Sequence, residues 1–241
     1  MNITRKGFLQ LGCLSVAAAA AKTLLGAASR RWGVAIDICK CLQKEGCTKC
    51  IDACRREHNI PVFQDPRREV KWIWKARYEN AFAVETGAHS PDALKGKLLP
   101  VLCNHCDDPP CTRVCPTQAT WKREDGIVMM DWHRCIGCRY CVAACPYGSR
   151  SFNWSDPRPA IPALNQDYPT RTKGVVEKCT LCEERLAKGR LPACVEVCPA
   201  KAIVFGDLND GHSALRELLR TRYTVQRRPE LGTRPSIYYI V

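Results

Sequence analysis

The stretch RCIGCRYCVAACP, residues 134–146, spaces four thiols as Cys135-x2-Cys138-x2-Cys141-x3-Cys145 and closes them with Pro146. Three thiolates this close together can cap one face of an iron–sulfur cube. A fourth, set apart by the longer gap and the proline, reaches a second cube. A chain built on this rule is organised by its clusters as much as by apolar burial, so the fold turns on whether the other cysteines obey it.

They do. The chain has 18 cysteines, and 16 of them sort into four groups of four. CKCLQKEGCTKCIDAC gives Cys41-x5-Cys47-x2-Cys50-x3-Cys54, with Cys39 spare; CNHCDDPPCTRVCP gives Cys103-x2-Cys106-x4-Cys111-x3-Cys115. The opening stretch is the third group, and CTLCEERLAKGRLPACVEVCP gives the fourth, Cys179-x2-Cys182-x11-Cys194-x3-Cys198. Every group ends in C-x3-C, and all but the first, where Arg55 follows Cys54, continue into proline. Isolated C-x2-C pairs would suggest zinc, but fours with a shared ending argue against it. Disulfides suit an exported chain, yet thiols two or three residues apart suit cluster ligation better. Haem attachment needs C-x-x-C-H, which is absent, because His105 lies inside C-N-H-C.

The gaps give the domain plan. ATWKREDGIVMMD, between Cys115 and Cys135, reads as a hairpin turning at Asp125-Gly126. Residues 101–154 are then one continuous two-cluster unit. Residues 29–60 and 175–209, with the strand-like runs VAIDI, GVVEK and AIVFGD, form a second unit split by insertion of the first. Segments 61–100 (an insertion), 155–174 (proline-rich) and 210–241 (helix and tail) lie outside both. The fold class is α+β, two bacterial-ferredoxin-like units of small hairpins and short helices, one inserted in the other. By the swap rule, Cys103, Cys106, Cys111 and Cys145 share one cluster, and Cys135, Cys138, Cys141 and Cys115 the next. Cys41, Cys47, Cys50 and Cys198 share a third, and Cys179, Cys182, Cys194 and Cys54 a fourth, giving four [4Fe-4S] clusters.

The formal charge of +13 raises the question of nucleic acid. Loss of residues 1–28, with Arg5, Lys6 and Lys22 and no acidic residue, leaves +10, and four thiolate-bound clusters at roughly −2 each bring this to about +2. Nucleic-acid binding is therefore not expected. Residues 1–28 read as an export signal: a basic pair before Phe8-Leu9, an alanine-rich segment, and small residues at Ala27-Ala28. TRKGFLQ is a twin-arginine-like motif with Lys6 in the second position, a route for proteins exported already loaded with cofactor. Lys22 breaks the apolar run before the roughly 20 residues a spanning helix needs.

CNHCDDPPCTRVCP, KREDGIV, CIGCRYCVAACPYGSRSFNW and EKCTLC with LPACVEVCP resemble the four-cluster ferredoxin-type electron-transfer subunits (NrfC, TtrB and DsrO kinds) of membrane oxidoreductases, over about residues 31–209. The resemblance implies an electron wire between an NrfD-like, quinone-interacting integral membrane subunit and a multihaem cytochrome c or catalytic redox subunit. It implies placement in the periplasm or on the extracytoplasmic face of the membrane, with membrane association through partners. CLQKEGCTKC, HNIPVF, VKWIWKARYENAF, YPTRTKGVVEKC and RRPELGTRPSIYYIV are most similar to the DsrO kind, from a sulfite-reduction-associated complex. Tetrathionate, polysulfide and nitrite reductase systems share the cysteine framework. The family has x2 in its first gap where this chain has x5, so Cys39 and Cys41 compete for one position. Cys41 is favoured, with AIDICKC read as a strand running into the first ligand.

No catalytic residue is expected, because the sixteen cysteines are taken as ligands and no dinucleotide or phosphate loop is present. Docking candidates are residues 62–100, with Trp72 and Trp74 on one strand face, residues 156–173, and the tail. For the tryptophans, packing over a cluster is the competing reading. His58, His105 and Lys178 adjoin ligand groups, where they either tune potential or serve surface or structural roles. SALRELLRTR reads as a helix capped by Ser213, with Leu215, Leu218 and Leu219 on one face.

Overall fold

The computed structural model describes residues 30–82 and 92–241; the export-signal reading, Cys13 and residues 83–91 of the insertion lie outside them. Among the described residues the strands are β1 (Trp32–Asp37), β2 (Ile73–Arg77), β3 (Leu98–Leu102), β4 (Thr120–Lys122), β5 (Val128–Met130), β6 (Ser151–Phe152), β7 (Val176–Glu177), β8 (Ile203–Asp207), β9 (Thr224–Val225) and β10 (Ile237–Ile240). Short helices connect them, and the class is α+β.

Apolar residues run almost unbroken through β1, and all but Trp32 are buried, which marks a strand covered on both faces. It is an inner strand of a four-stranded sheet ordered β8-β1-β10-β9. β8 pairs antiparallel to it, with Ile36 opposite Ile203, and so joins the chain before the first cysteine group to the chain after the fourth. β10 lies parallel on the other side, with Val34 opposite Ile237.

The last strand of the tail is therefore core. Ile237 and Tyr239 are fully buried, which corrects the docking reading for this strand, while Tyr223 and Leu231 stay exposed. The helix Ala214–Thr221 forms as expected, with Ser213 Oγ accepting from the Arg216 amide. Leu215 packs so closely on β8 that a Cβ at Gly206 would sit 2.8 Å from the Leu215 Cβ.

The hairpin β4–β5 forms where expected, Thr120 opposite Met130. Gly126 takes the left-handed φ of +82° that the turn requires. The Asp125 carbonyl at its tip accepts from the Trp32 amide, tying the hairpin to β1. β2 pairs with β3, which runs straight into Cys103. β6, after the third group, pairs with β7, before the fourth, so GVVEK forms its strand against the neighbouring unit. The reading of AIDICKC as strand is corrected. β1 stops at Asp37, whose carboxylate accepts the Lys40 amide and caps a helix over Ile38–Leu42. Side-chain capping outcompetes strand continuation there.

Trp72 is corrected as a docking residue, since it is buried beside β2. It sits in an aromatic cluster with His58, Trp132 and Tyr168. Arg171 threads this cluster and pairs with Glu177 at 2.8 Å, both side chains fully buried. Asn59 Nδ2 donates to the carbonyls of Asn165 and Tyr168, so part of the proline-rich segment is fastened to the core.

Candidate iron–sulfur sites

The first quartet gathers at one side of the sheet. Cys41 comes from the helix Ile38–Leu42, Cys50 from the helix Lys49–Glu57 and Cys198 from just beyond Ala193–Glu196. With Cys47 they line a cavity of about 510 Å³ whose mouth carries Lys44, Lys75, Lys95 and Lys97. Burial and the neighbouring Cys41, Cys47 and Cys198 push the Cys50 thiol up to about 12. Cys39 is exposed and does not line the cavity.

Cys54 sits one helical turn past Cys50 and belongs to the next quartet. Burial and then Cys179, Cys182 and Cys194 hold its thiol well above the usual range. The loop around Cys179-Cys182 takes left-handed backbone at Leu181 and Cys182. That geometry lets the Leu181 amide donate to Cys179 Sγ at 3.3 Å, while the Ala193 amide donates to Cys182 Sγ at 3.4 Å. His58 lies alongside, its Nδ1 3.0 Å from the Cys54 carbonyl and its Nε2 2.9 Å from Glu184.

Cys103, Cys106, Cys111 and Cys145 line a small enclosed space with Pro109, Pro110 and Pro146. Burial, then the charge of Cys103, pushes Cys106 up to about 12. Cys115, Cys135 and Cys141 meet in an apolar cluster around Val128 and Met130 that also takes in Cys111 of the preceding quartet, and Cys138 lines the adjoining groove with Arg139 and Tyr140. Gly137 is required in this loop. Its φ is +72°, and a Cβ there would run into the Gly174 carbonyl oxygen.

The quartets adjoin one after another: the helix Lys49–Glu57 carries Cys50 of one and Cys54 of the next, Lys178 donates to the carbonyls of Cys179 and of Val128, which lines the Cys103 quartet, and Cys111 shares an apolar cluster with Cys115, Cys135 and Cys141. Four thiols facing one another, some with amide donors to sulfur, are a donor set for iron–sulfur clusters. Raised thiol values mean that iron must displace protons to bind.

Two buried cations, missed in the sequence reading or underrated there, lie on either side of the Cys103 quartet. Arg150 Nη2 donates to Cys111 Sγ at 3.0 Å and to Thr120 Oγ1 at 2.7 Å. Lys178 is fully buried and donates to the carbonyls of Val128 and Cys179. His105, also buried, accepts the Val128 amide through Nδ1. Burial, then Lys178 and Arg150, holds its imidazole well below the usual range and so neutral. A surface role is thus corrected for His58, His105 and Lys178, since all three are buried. Nothing local signalled these cations in the sequence: Arg150 stands between two serines in GSRSF and Lys178 follows Glu177.

Fold and site together define a multi-cluster iron–sulfur protein of ferredoxin type. Residues 94–159 and 156–208 each match the 4Fe-4S dicluster domain. The chain is 43% identical to Hdr-like menaquinol oxidoreductase iron-sulfur subunit 1 of Archaeoglobus fulgidus, over 87% of this chain and 83% of that one. It is 38% identical to the menaquinone reductase iron-sulfur cluster-binding subunit of Nitratidesulfovibrio vulgaris, over 87% and 88%. To a tetrathionate reductase subunit of Salmonella typhimurium it is 37% identical, over 89% and 74%. The chain belongs to this family of 4Fe-4S dicluster electron-transfer subunits. Among the described residues no helix is long and apolar enough to cross a membrane.

Proposed function

We propose that the chain relays single electrons through four [4Fe-4S] clusters, held by the four quartets named above, between a quinone-interacting membrane subunit and a second redox protein. The row of quartets supports this reading most strongly. Thiolate-bound cubes exchange electrons with little rearrangement, and their potentials respond to hydrogen bonds, charge and exposure. The sixteen cysteines bind and orient the clusters, the amides of Leu181, Ala193 and Ala202 donate to their sulfurs, and the proline-lined walls of the third quartet limit water. The two-unit plan, residues 101–154 inserted between 29–60 and 175–209, is supported by the β1–β8 pairing.

The membrane partner is taken to be NrfD-like and the other partner a multihaem cytochrome c, in a sulfite-reduction-associated complex of the DsrO kind, on the extracytoplasmic face after twin-arginine-type export. The likeness to a menaquinol oxidoreductase subunit favours quinol-linked chemistry. A second reading, the wire of a molybdopterin-type reductase, is favoured by the likeness to tetrathionate and polysulfide reductase subunits. Purification from native membranes separates them. An NrfD-like protein with a cytochrome c supports the first, and a molybdopterin subunit supports the second.

A further inference from the structure

A buried charge is strongly unfavourable unless a counter-charge faces it. Of the five buried cations among the described residues, two have one: Arg171 pairs with Glu177, and Arg185 with Glu57 and Glu196. Arg227 instead lies over the faces of Trp74 and Tyr147. Arg150 and Lys178 have neither. Among the described residues no carboxylate lies within ion-pair reach of them, and neither stands over a ring. What faces Arg150 is sulfur and hydroxyl: Cys111 Sγ at 3.0 Å, Thr120 Oγ1 at 2.7 Å and Met130 Sδ at 3.6 Å. Cys111 belongs to the quartet of Cys103, Cys106 and Cys145 but packs with Cys115, Cys135 and Cys141 of the next, and Arg150 also lines the groove of Cys138. Lys178 stands one junction earlier but donates to backbone, to the carbonyls of Cys179 and of Val128, which lines the Cys103 quartet.

Resting on the relay reading above, we propose that Arg150 is the shared counter-ion of the clusters of Cys103, Cys106, Cys111 and Cys145 and of Cys115, Cys135, Cys138 and Cys141, a positioning residue that raises the potential of both. Each electron added to a thiolate-bound cube adds a negative charge. A fixed cation close by, screened from water, stabilises the reduced form more than the oxidised one. Salt does not reach the site, so the effect persists at high ionic strength.

The test is an EPR-monitored potentiometric titration of the full-length wild type, Arg150→Met and Arg150→Lys, with iron counted in each. In Arg150→Met two of the four reductions move to lower potential by at least tenfold in equilibrium constant, 59 mV for one electron. The others stay in place, and the shift survives high salt. Arg150→Lys recovers most of it. Unchanged potentials in a fully loaded Arg150→Met, or equal shifts in both variants, would overturn the proposal. Should Arg150→Met fail to hold iron, the lysine variant decides. Full loading with near-wild-type potentials upholds the counter-ion role, and the same loss of iron refutes it. A wild type short of four clusters would count against the relay reading, which separates the two failures.

Discussion

Cys39 and Cys41 are two positions apart, and spacing alone left the choice between them open. The choice is made by Asp37, which ends β1 and turns Cys41 into the cavity with Cys47, Cys50 and Cys198 while Cys39 stays exposed. Cys39→Ser should leave the iron content unchanged; Cys41→Ser should lower it by up to about a quarter or leave a cluster with altered EPR. Equal losses from both would contradict the assignment. Arg171 gives a second expectation at this scale. Arg171→Met strands a fully buried Glu177, a change of about 3–5 kcal/mol. It should lower the thermal unfolding midpoint, read through the emission of the adjacent Trp72 and Trp132, without shifting cluster potentials. Cysteine spacing is local information and was legible. The buried cations were not, because burial depends on which segments meet.

The elements were legible where their signal is short-range. Asp125-Gly126 announced the β4–β5 hairpin, and Ser213 the helix Ala214–Thr221. SIYYIV did not announce β10, because a parallel partner just over 200 residues away, Val34 against Ile237, leaves no local mark. AIDICKC failed for a different reason: an apolar run was weighed above a capping carboxylate. Gly137 carries the prediction here. Gly137→Ala adds a Cβ at positive φ against the Gly174 carbonyl, so the loop of Cys135 and Cys138 must shift. The signal of one cluster should be lost or distorted while the other three remain, as read by EPR after full reduction. Ser213→Ala, by contrast, should reduce stability by about 1 kcal/mol in denaturant and leave every cluster spectrum intact.

Across the whole molecule the row of quartets has unlike ends. Lysines ring the first, while Ile136, Tyr140 and Trp154 stand 67%, 62% and 54% exposed around the fourth. The proposed two-unit plan came from counting gaps between cysteines, and the β1–β8 pairing is compatible with it. The C-terminal addition to that sheet was hidden, since nothing in the cysteine pattern extends there. Several quartet thiols lie inside the apolar clusters, so iron removal should unfold the chain rather than leave an apo form with native packing. Anaerobic chelation followed by limited proteolysis checks this, and a protease-resistant, iron-free chain would contradict it.

The most direct measurement is a reductive titration of anaerobically purified protein with its iron and labile sulfide counted. About sixteen irons per chain and four separable one-electron reductions are expected. Far fewer irons, or a colourless protein that takes up no electrons, would contradict the account.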